Sequence, residues 1–335
     1  MLTRLGRCPS SVVARTIRSL GVVTALVVLL TACGDNDVDE SVEDTSTTIA
    51  AEAAPEPTDE VGGSIVGALP TEFEPSNLVT LDPLLYQAAL AMGVAPIGTP
   101  TFETAAGVGA PLPDYLPAEV VDEAELFGTI LTPNVEAVAA AGPDLVLGTA
   151  QFAPPVSQGL DATTDVALYE GAFTDWRAAT TFVGAQVGRD GEASALIAAI
   201  DERVASLAPE ASGTASIVRF TGPDVLPINE TAVGGELLVG AGFTLPEELA
   251  ALSPAQSLSL EQIELLDADV IVVVLQEGSD TVSGPDQYDD WVASPLWEAL
   301  PAVQRGDVVE VGPCWATPTV WCAAIVTDDI EEIIG

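Results

Sequence analysis

The chain has no histidine and no lysine. All nine of its basic residues are arginine, against 51 aspartates and glutamates, giving a formal net charge of −42 over 335 residues. Without histidine, a His-ligated zinc or manganese centre is excluded, as are Ser-His-Asp and Cys-His catalysis. Without a basic surface, nucleic-acid binding is excluded, because its affinity comes from phosphate neutralisation and counterion release. Arg4, Arg7, Arg15 and Arg18 all precede the first apolar run, which leaves 9 − 4 = 5 arginines: Arg177, Arg189, Arg203, Arg219 and Arg305. A strongly anionic ligand would find few partners among them. The acid excess reads as a soluble, self-repelling surface. Long apolar runs are scarce near the N-terminus: Leu20 to Leu30 falls short of the about 20 residues that a membrane-spanning helix needs.

What is present at the N-terminus is an export signal. A basic segment with no acid before Asp35 leads into the Leu20–Leu30 run and then small residues. Leu30-Thr31-Ala32-Cys33 is similar to a bacterial lipobox, in which the cysteine is diacylated and the signal is cut just before it. Residues 1–32 are then the signal and Cys33 the lipid anchor. An ordinary secretory signal or an uncleaved anchor are the alternatives. Residues 33–63 run to Asp, Glu, Ser, Thr, Ala and Pro, the composition of a disordered acidic tether. With the signal gone the formal charge is 5 − 51 = −46. Cys8 leaves with it, so Cys314 and Cys322 remain as a pair that an oxidising compartment could join. Their short loop limits the gain to about 2–3 kcal/mol.

Beyond Gly63 strands and helices alternate, and 48% hydrophobic residues assure a sizeable core. Asn77–Leu81 reads as a strand. Asp82-Pro83 opens a helix with Asp at the N-cap and Pro at the first position, and Gly93 stops it. Val94–Gly98 reads as a second strand, Pro133–Ala141 as a helix closed by Gly142, and Asp144–Gly148 and Val166–Tyr169 as further strands. A long helical segment covers about Phe173–Leu207, interrupted near Gly188-Arg189-Asp190-Gly191. The alternation then restarts: strand Ser216–Phe220, helix Glu236–Gly242, helix Leu260–Leu266, strands Val270–Leu275 and Val308–Val311, and helix Thr327–Ile334. The fold class expected is α/β, with two Rossmann-like lobes, residues 64–172 and 209–335, joined by a connecting helix over 173–208.

At this point the residues resemble a family: the class III substrate-binding lipoproteins of iron–siderophore and cobalamin ABC importers. Leu78-Val-Thr-Leu-Asp-Pro with Ala89-Leu-Ala-Met-Gly-Val-Ala-Pro-Ile-Gly98 is similar to its opening unit. Gly128-Thr-Ile-Leu-Thr-Pro-Asn-Val-Glu136 with Gly142-Pro-Asp-Leu-Val-Leu-Gly148 is similar to its best-marked motif. Ser259-Leu-Glu-Gln-Ile263 with Asp267-Ala-Asp-Val-Ile271 repeats that unit. Ser294–Val303 and Gly306-Asp-Val-Val309 complete the order.

The resemblance implies a membrane-anchored, monomeric receptor on the extracytoplasmic face. It would capture a ferric siderophore in a shallow cleft between rigid lobes and hand it to an ABC permease. It implies no catalysis, no cofactor and no protein-held metal. One glutamate per lobe, Glu136 and Glu261, would dock on the permease, although each also reads as a first-turn acid favoured by a helix N-terminus. Candidate ligand contacts are Tyr86, Phe102, Gln151 and Phe152 in the first lobe, and Arg219, Asn229 and Trp315 in the second. Gln151 and Phe152 follow a strand at its C-terminal end, where open α/β sheets bind ligands. Arg219 lies in an apolar strand, so it must either meet an acid inside the fold or point into the cleft. Trp315 is either a cleft aromatic or a core one, and Trp297 reads as packing. Few arginines favour a neutral or hydroxamate-type ferric chelate over a triply charged catecholate. Cobalamin and heme are alternative ligands, heme less expected without histidine. An enzyme using paired carboxylates and a sensory or scaffold domain of the same fold are the rival readings.

Overall fold

The computed structural model describes residues 64–102, 110–152, 160, 164–210, 212–222, 224–276 and 284–335. The signal, Cys33 and the tether lie outside the described residues.

The first sheet has five parallel strands in the order β5-β4-β2-β6-β7. They are β2 (Leu78–Thr80), β4 (Gly98–Thr101), β5 (Glu125–Thr129), β6 (Leu145–Thr149) and β7 (Asp165–Tyr169). Helix α1 (Pro83–Ala91) starts as expected: the Asp82 carboxylate accepts from Leu84 N at 2.8 Å, and all nine helical residues are buried. The strand expected over Val94–Gly98 is divided in two. Val94–Ala95 (β3) pairs with Glu74–Pro75 (β1) in a separate two-stranded sheet, whereas Gly98 opens β4. Pro96, which has no N–H to donate, stands between them. Gly98 is required where it stands, because a Cβ there would overlap the Glu125 backbone of β5. Strand β5 and helix α2 (Ala118–Glu123) were not expected. Helix α3 (Val135–Ala141) follows, capped by the Asn134 side chain and closed by Gly142 in the left-handed region at φ 65°.

Two helices, α4 (Trp176–Val187) and α5 (Asp190–Leu207), form the connecting segment, broken at Gly188 with φ 70°. The second sheet has the order β11-β10-β8-β9. Strands β8 (Ala215–Thr221), β10 (Val270–Gln276) and β11 (Val308–Val311) are parallel. Strand β9 (Asp224–Pro227) returns antiparallel beside β8, which the β/α alternation did not announce. Helix α6 (Val233–Gly240), short helix α7 (Glu247–Ala250) and the 3-10 helix Leu260–Leu266 lie between β9 and β10. Helices α8 (Gly284–Val292), α9 (Pro295–Glu298) and α10 (Pro301–Arg305) lie between β10 and β11. The final helix α11 spans Val320–Ile334 rather than beginning at Thr327, capped by the Thr319 hydroxyl.

Three apolar cores result. One fills the outer face of the first sheet around Phe127 and Val138, another the outer face of the second around Phe220 and Trp291. The largest is shared, joining α1, α4, α5, α6 and α11. Strand β8 shows the division: Ala215 and Ile217 enter the shared core, Val218 and Phe220 the outer one, following the two-residue period of a strand. Cys314 and Cys322 are disulfide-bonded and buried, pinning the turn Pro313–Ala316 to the start of α11. The opening turn at Ser64–Val66 is held by α11 as well. Asp328 accepts from Ile65 N at 2.8 Å, Val66 N at 3.2 Å and the Ser64 hydroxyl.

Candidate functional site

The C-terminal ends of the parallel strands carry four of the seven candidate ligand residues. Phe102 follows β4 and is 39% exposed. Gln151 and Phe152 follow β6, and the Phe152 ring meets Phe173 edge-on at 5.9 Å. Residues 103–109, 153–159 and 277–283, which follow β4, β6 and β10 in sequence, lie outside the described residues. Arg219 lies two residues before the end of β8, between Val274 of β10 and Leu226 of β9. Alternation puts its side chain on the Ile217 face, toward the core that both lobes share.

The electrostatics single out Arg219. Arg177 pairs with Asp201 at 2.5 Å and with Glu236; Arg189 pairs with Glu74 at 2.5 Å and Glu192 at 3.1 Å. Arg203 meets Glu331, and Arg305 meets Asp307 at 2.6 Å. Among the described residues Arg219 alone of the five meets no carboxylate, and its Nε is buried without a hydrogen-bond partner. Burial accordingly pulls its pKa below the ordinary arginine value.

The other three candidates are placed elsewhere. Tyr86 is 1% exposed inside α1, and its hydroxyl donates to Val120 O at 3.0 Å. Burial pushes that hydroxyl up to about 12. Trp315 is fully buried, with Nε1 donating to Asp329 at 2.8 Å and its ring against Gly234. Both are core residues. Asn229 follows β9, and because β9 runs backward it lies near Ile217, whose carbonyl accepts from Ile228 N at 3.0 Å. That is toward the start of β8, away from its C-terminal end. The Asn229 side-chain oxygen Oδ1 accepts from Thr231 N and Oγ1 at 3.1 and 2.6 Å, closing a local turn.

Glu136 and Glu261 occupy matching places. Each is the second residue of its helix, and each precedes its next strand by the same interval: 145 − 136 = 9 and 270 − 261 = 9. The local bonding repeats too. Asp144 accepts from Asn77 just before β2, and Asp269 accepts from Thr214 just before β8. Both glutamates are exposed. The Glu261 backbone N–H and the Ser259 hydroxyl hold its carboxyl below the usual range.

A residue the sequence reading missed joins the lobes. Gln87 of α1 is 1% exposed, and its carbonyl oxygen accepts from Thr319 Oγ1 at 2.9 Å and Tyr115 Oη at 3.3 Å. A buried glutamine in an apolar helix was the only available signal. Two cavities, of about 270 and 410 Å³, open elsewhere, one beside Asn77, Asp144 and Arg189 and the other beside Asn229 and Phe243. Neither lies at the C-terminal strand ends.

Two α/β lobes on a helical connection define a two-lobed solute-binding architecture. The chain belongs to the periplasmic binding protein family, whose pattern matches residues 87–313. It is 27% identical over 270 residues to YfiY of Bacillus subtilis (strain 168), named a probable siderophore-binding lipoprotein, covering 77% of this chain and 82% of that one. It is 26% identical over 255 residues to the Fe(3+) dicitrate-binding periplasmic protein FecB of Escherichia coli (strain K12), covering 73% and 79%. The siderophore periplasmic binding protein from the fuscachelin gene cluster of Thermobifida fusca superposes with a TM-score of 0.60 at 26% identity, over 77% of this chain and 96% of that one. The fold is the class III arrangement of that family.

Proposed function

We propose that this protein is the lipid-anchored receptor of an ABC importer, capturing a ferric siderophore and delivering it to the permease. Phe102, Gln151, Phe152 and Arg219 are the ligand contacts. Cys33 carries the lipid on the extracytoplasmic face, and Glu136 and Glu261 dock on the permease. The chain binds and releases; it catalyses nothing, and the iron arrives inside its chelate as cargo. Relatives named for siderophore and ferric dicitrate binding support this reading.

The observation that carries it is Arg219. An arginine half-withdrawn from water and meeting no counter-charge among the described residues forfeits solvation, and an anionic oxygen of a ligand would restore it. One such cation suits a neutral or hydroxamate-type chelate better than a triply charged catecholate. Calorimetric titration of the protein with ferrioxamine, ferric catecholate, ferric citrate, cobalamin and heme tests the reading. Calorimetry suits the case because Trp176, Trp291, Trp297, Trp315 and Trp321 are all buried, none more than 4% exposed. Sub-micromolar binding of ferrioxamine, weakened at least about tenfold by Arg219→Gln, is expected, as for the loss of one charge-assisted hydrogen bond. Binding of none of the five would reject the capture reading; preference for catecholate would reject the hydroxamate assignment.

A further inference from the structure

We infer that Tyr169 is a positioning residue of the ligand face, and that Phe173, which it holds, stands with Phe152 as one aromatic wall against the chelate. The inference rests on the proposed role of Gln151 and Phe152 as ligand contacts, and names what sets their place.

Two turns meet at the end of β7. The first carries Gln151 and Phe152 and is closed by Phe152 N donating to Thr149 O at 3.1 Å. Ala150 N, inside it, donates to the Tyr169 carbonyl oxygen at 2.9 Å. The second turn carries Phe173 and is closed by Asp175 N donating to Ala172 O at 3.0 Å. The Tyr169 hydroxyl lies 3.3 Å from both the Ala172 and the Asp175 carbonyl oxygens, and shares its one hydrogen between them. Tyr169 thus ties the first turn by its main chain and the second by its side chain. What the two turns present is the edge-to-face pair of Phe152 and Phe173, both half-buried.

The local sequence serves that hydroxyl. Tyr169 is 7% exposed, and its ring stands 5.6 Å from Phe182 of α4. A phenol so enclosed needs an acceptor, and the turn carbonyls supply it. A Cβ at Gly171 would overlap the hydroxyl, so the residue between the tyrosine and its acceptors has to be small. The Asp175 side chain then accepts from Ala178 N at 3.0 Å and starts α4. Phenylalanine at 169 would fill the same space against Phe182; only the turn uses the oxygen. Rings fixed before binding offer apolar surface to a bulky chelate without the entropy cost of ordering them.

Calorimetry with ferrioxamine on the full chain, and amide hydrogen exchange on the same protein without ligand, test this together. Tyr169→Phe keeps the ring and removes the hydroxyl; it should weaken ferrioxamine binding about fivefold, the scale of one hydrogen bond. Phe173→Leu should weaken it at least as much. Adding Tyr169→Phe to Phe173→Leu should then cost nothing more, because the tyrosine acts through that ring. Without ligand, Tyr169→Phe should speed exchange at Asp175 N and also at Phe152 N, across the ring contact. Gly171→Ala, which crowds the hydroxyl, should repeat both effects. A merely structural tyrosine would lower the unfolding midpoint and leave affinity unchanged, and that result overturns the inference. So do additive losses in the double variant, or faster exchange confined to residues 172–175. Native-like ferrioxamine binding by Phe152→Ala would instead remove the contact reading beneath it, even where exchange shows the two turns coupled.

Discussion

Asp82 shows how much one residue can be asked to do. It caps α1, accepts the Thr149 hydroxyl at 3.2 Å and has no exposed surface. Burial outweighs both hydrogen bonds and pushes its carboxyl up to about 6. Asp329, beneath Trp315, is also raised to about 6 by burial, with Asp328 and Glu332 adding repulsion. For an acid raised in the folded state, folding takes up protons between the ordinary aspartate range and that value. Stability therefore falls as pH rises from about 4 to about 6, by a ceiling of about 3 kcal/mol for Asp82. Thermal unfolding followed between those limits should show a higher midpoint at the acid end. Asp82→Asn keeps the cap oxygen and should remove part of the slope, leaving the share due to Asp329. A slope unchanged in that variant would mean Asp82 does not titrate there.

At the scale of elements, legibility followed local punctuation. The Asp82-Pro83 start and the Gly142 and Gly188 stops could be read because they act within one turn. Strand β5 could not, because it is an edge strand with exposed Glu125 and Leu126 and has no apolar run. Strand β9 could not either, because its direction is set by pairing with β8 and not by its own four residues. That one omission misplaced Asn229. Tyr86 read as a cleft contact, and Trp315 as either a cleft or a core aromatic, because nothing in a sequence separates a buried ring from one lining a cleft. Arg219 was legible as a dilemma, and only the assembled sheet showed that no acid among the described residues meets it. Gly98→Ala tests the closest contact between elements: a methyl group there meets the Glu125 backbone. A loss of at least about 2 kcal/mol is expected, as for strain at a site that cannot relax. Replacing both Cys314 and Cys322 by Ser should lower stability by about 2–3 kcal/mol, from loop closure; chemical denaturation measures both.

The body from residue 64 onward is built to move little. The shared core, the Gln87–Thr319 hydrogen bond and the bridge from Arg177 of α4 to Glu236 of α6 all cross between segments that a hinge would have to separate. Small-angle scattering with and without bound ferrioxamine should give nearly superimposable curves, as for pre-organised binders; a clear contraction would reveal a hinge. Self-repulsion at a net charge of −42 opposes this compactness. Raising salt from about 0.01 M to about 1 M shortens the screening length from about 30 Å to about 3 Å. The unfolding midpoint should climb across that range and not fall.

The clasp of Asp328 on Ser64, Ile65 and Val66 settles where a pull on the N-terminal chain is felt. Residue 64 precedes the first sheet in sequence, yet its load enters the middle of α11, the last helix, whose first turn is pinned by the disulfide. If the chain is anchored through its N-terminal segment, as proposed, the body is suspended from its final element. Drag on such a body would fall first on a carboxylate clasp and a helix.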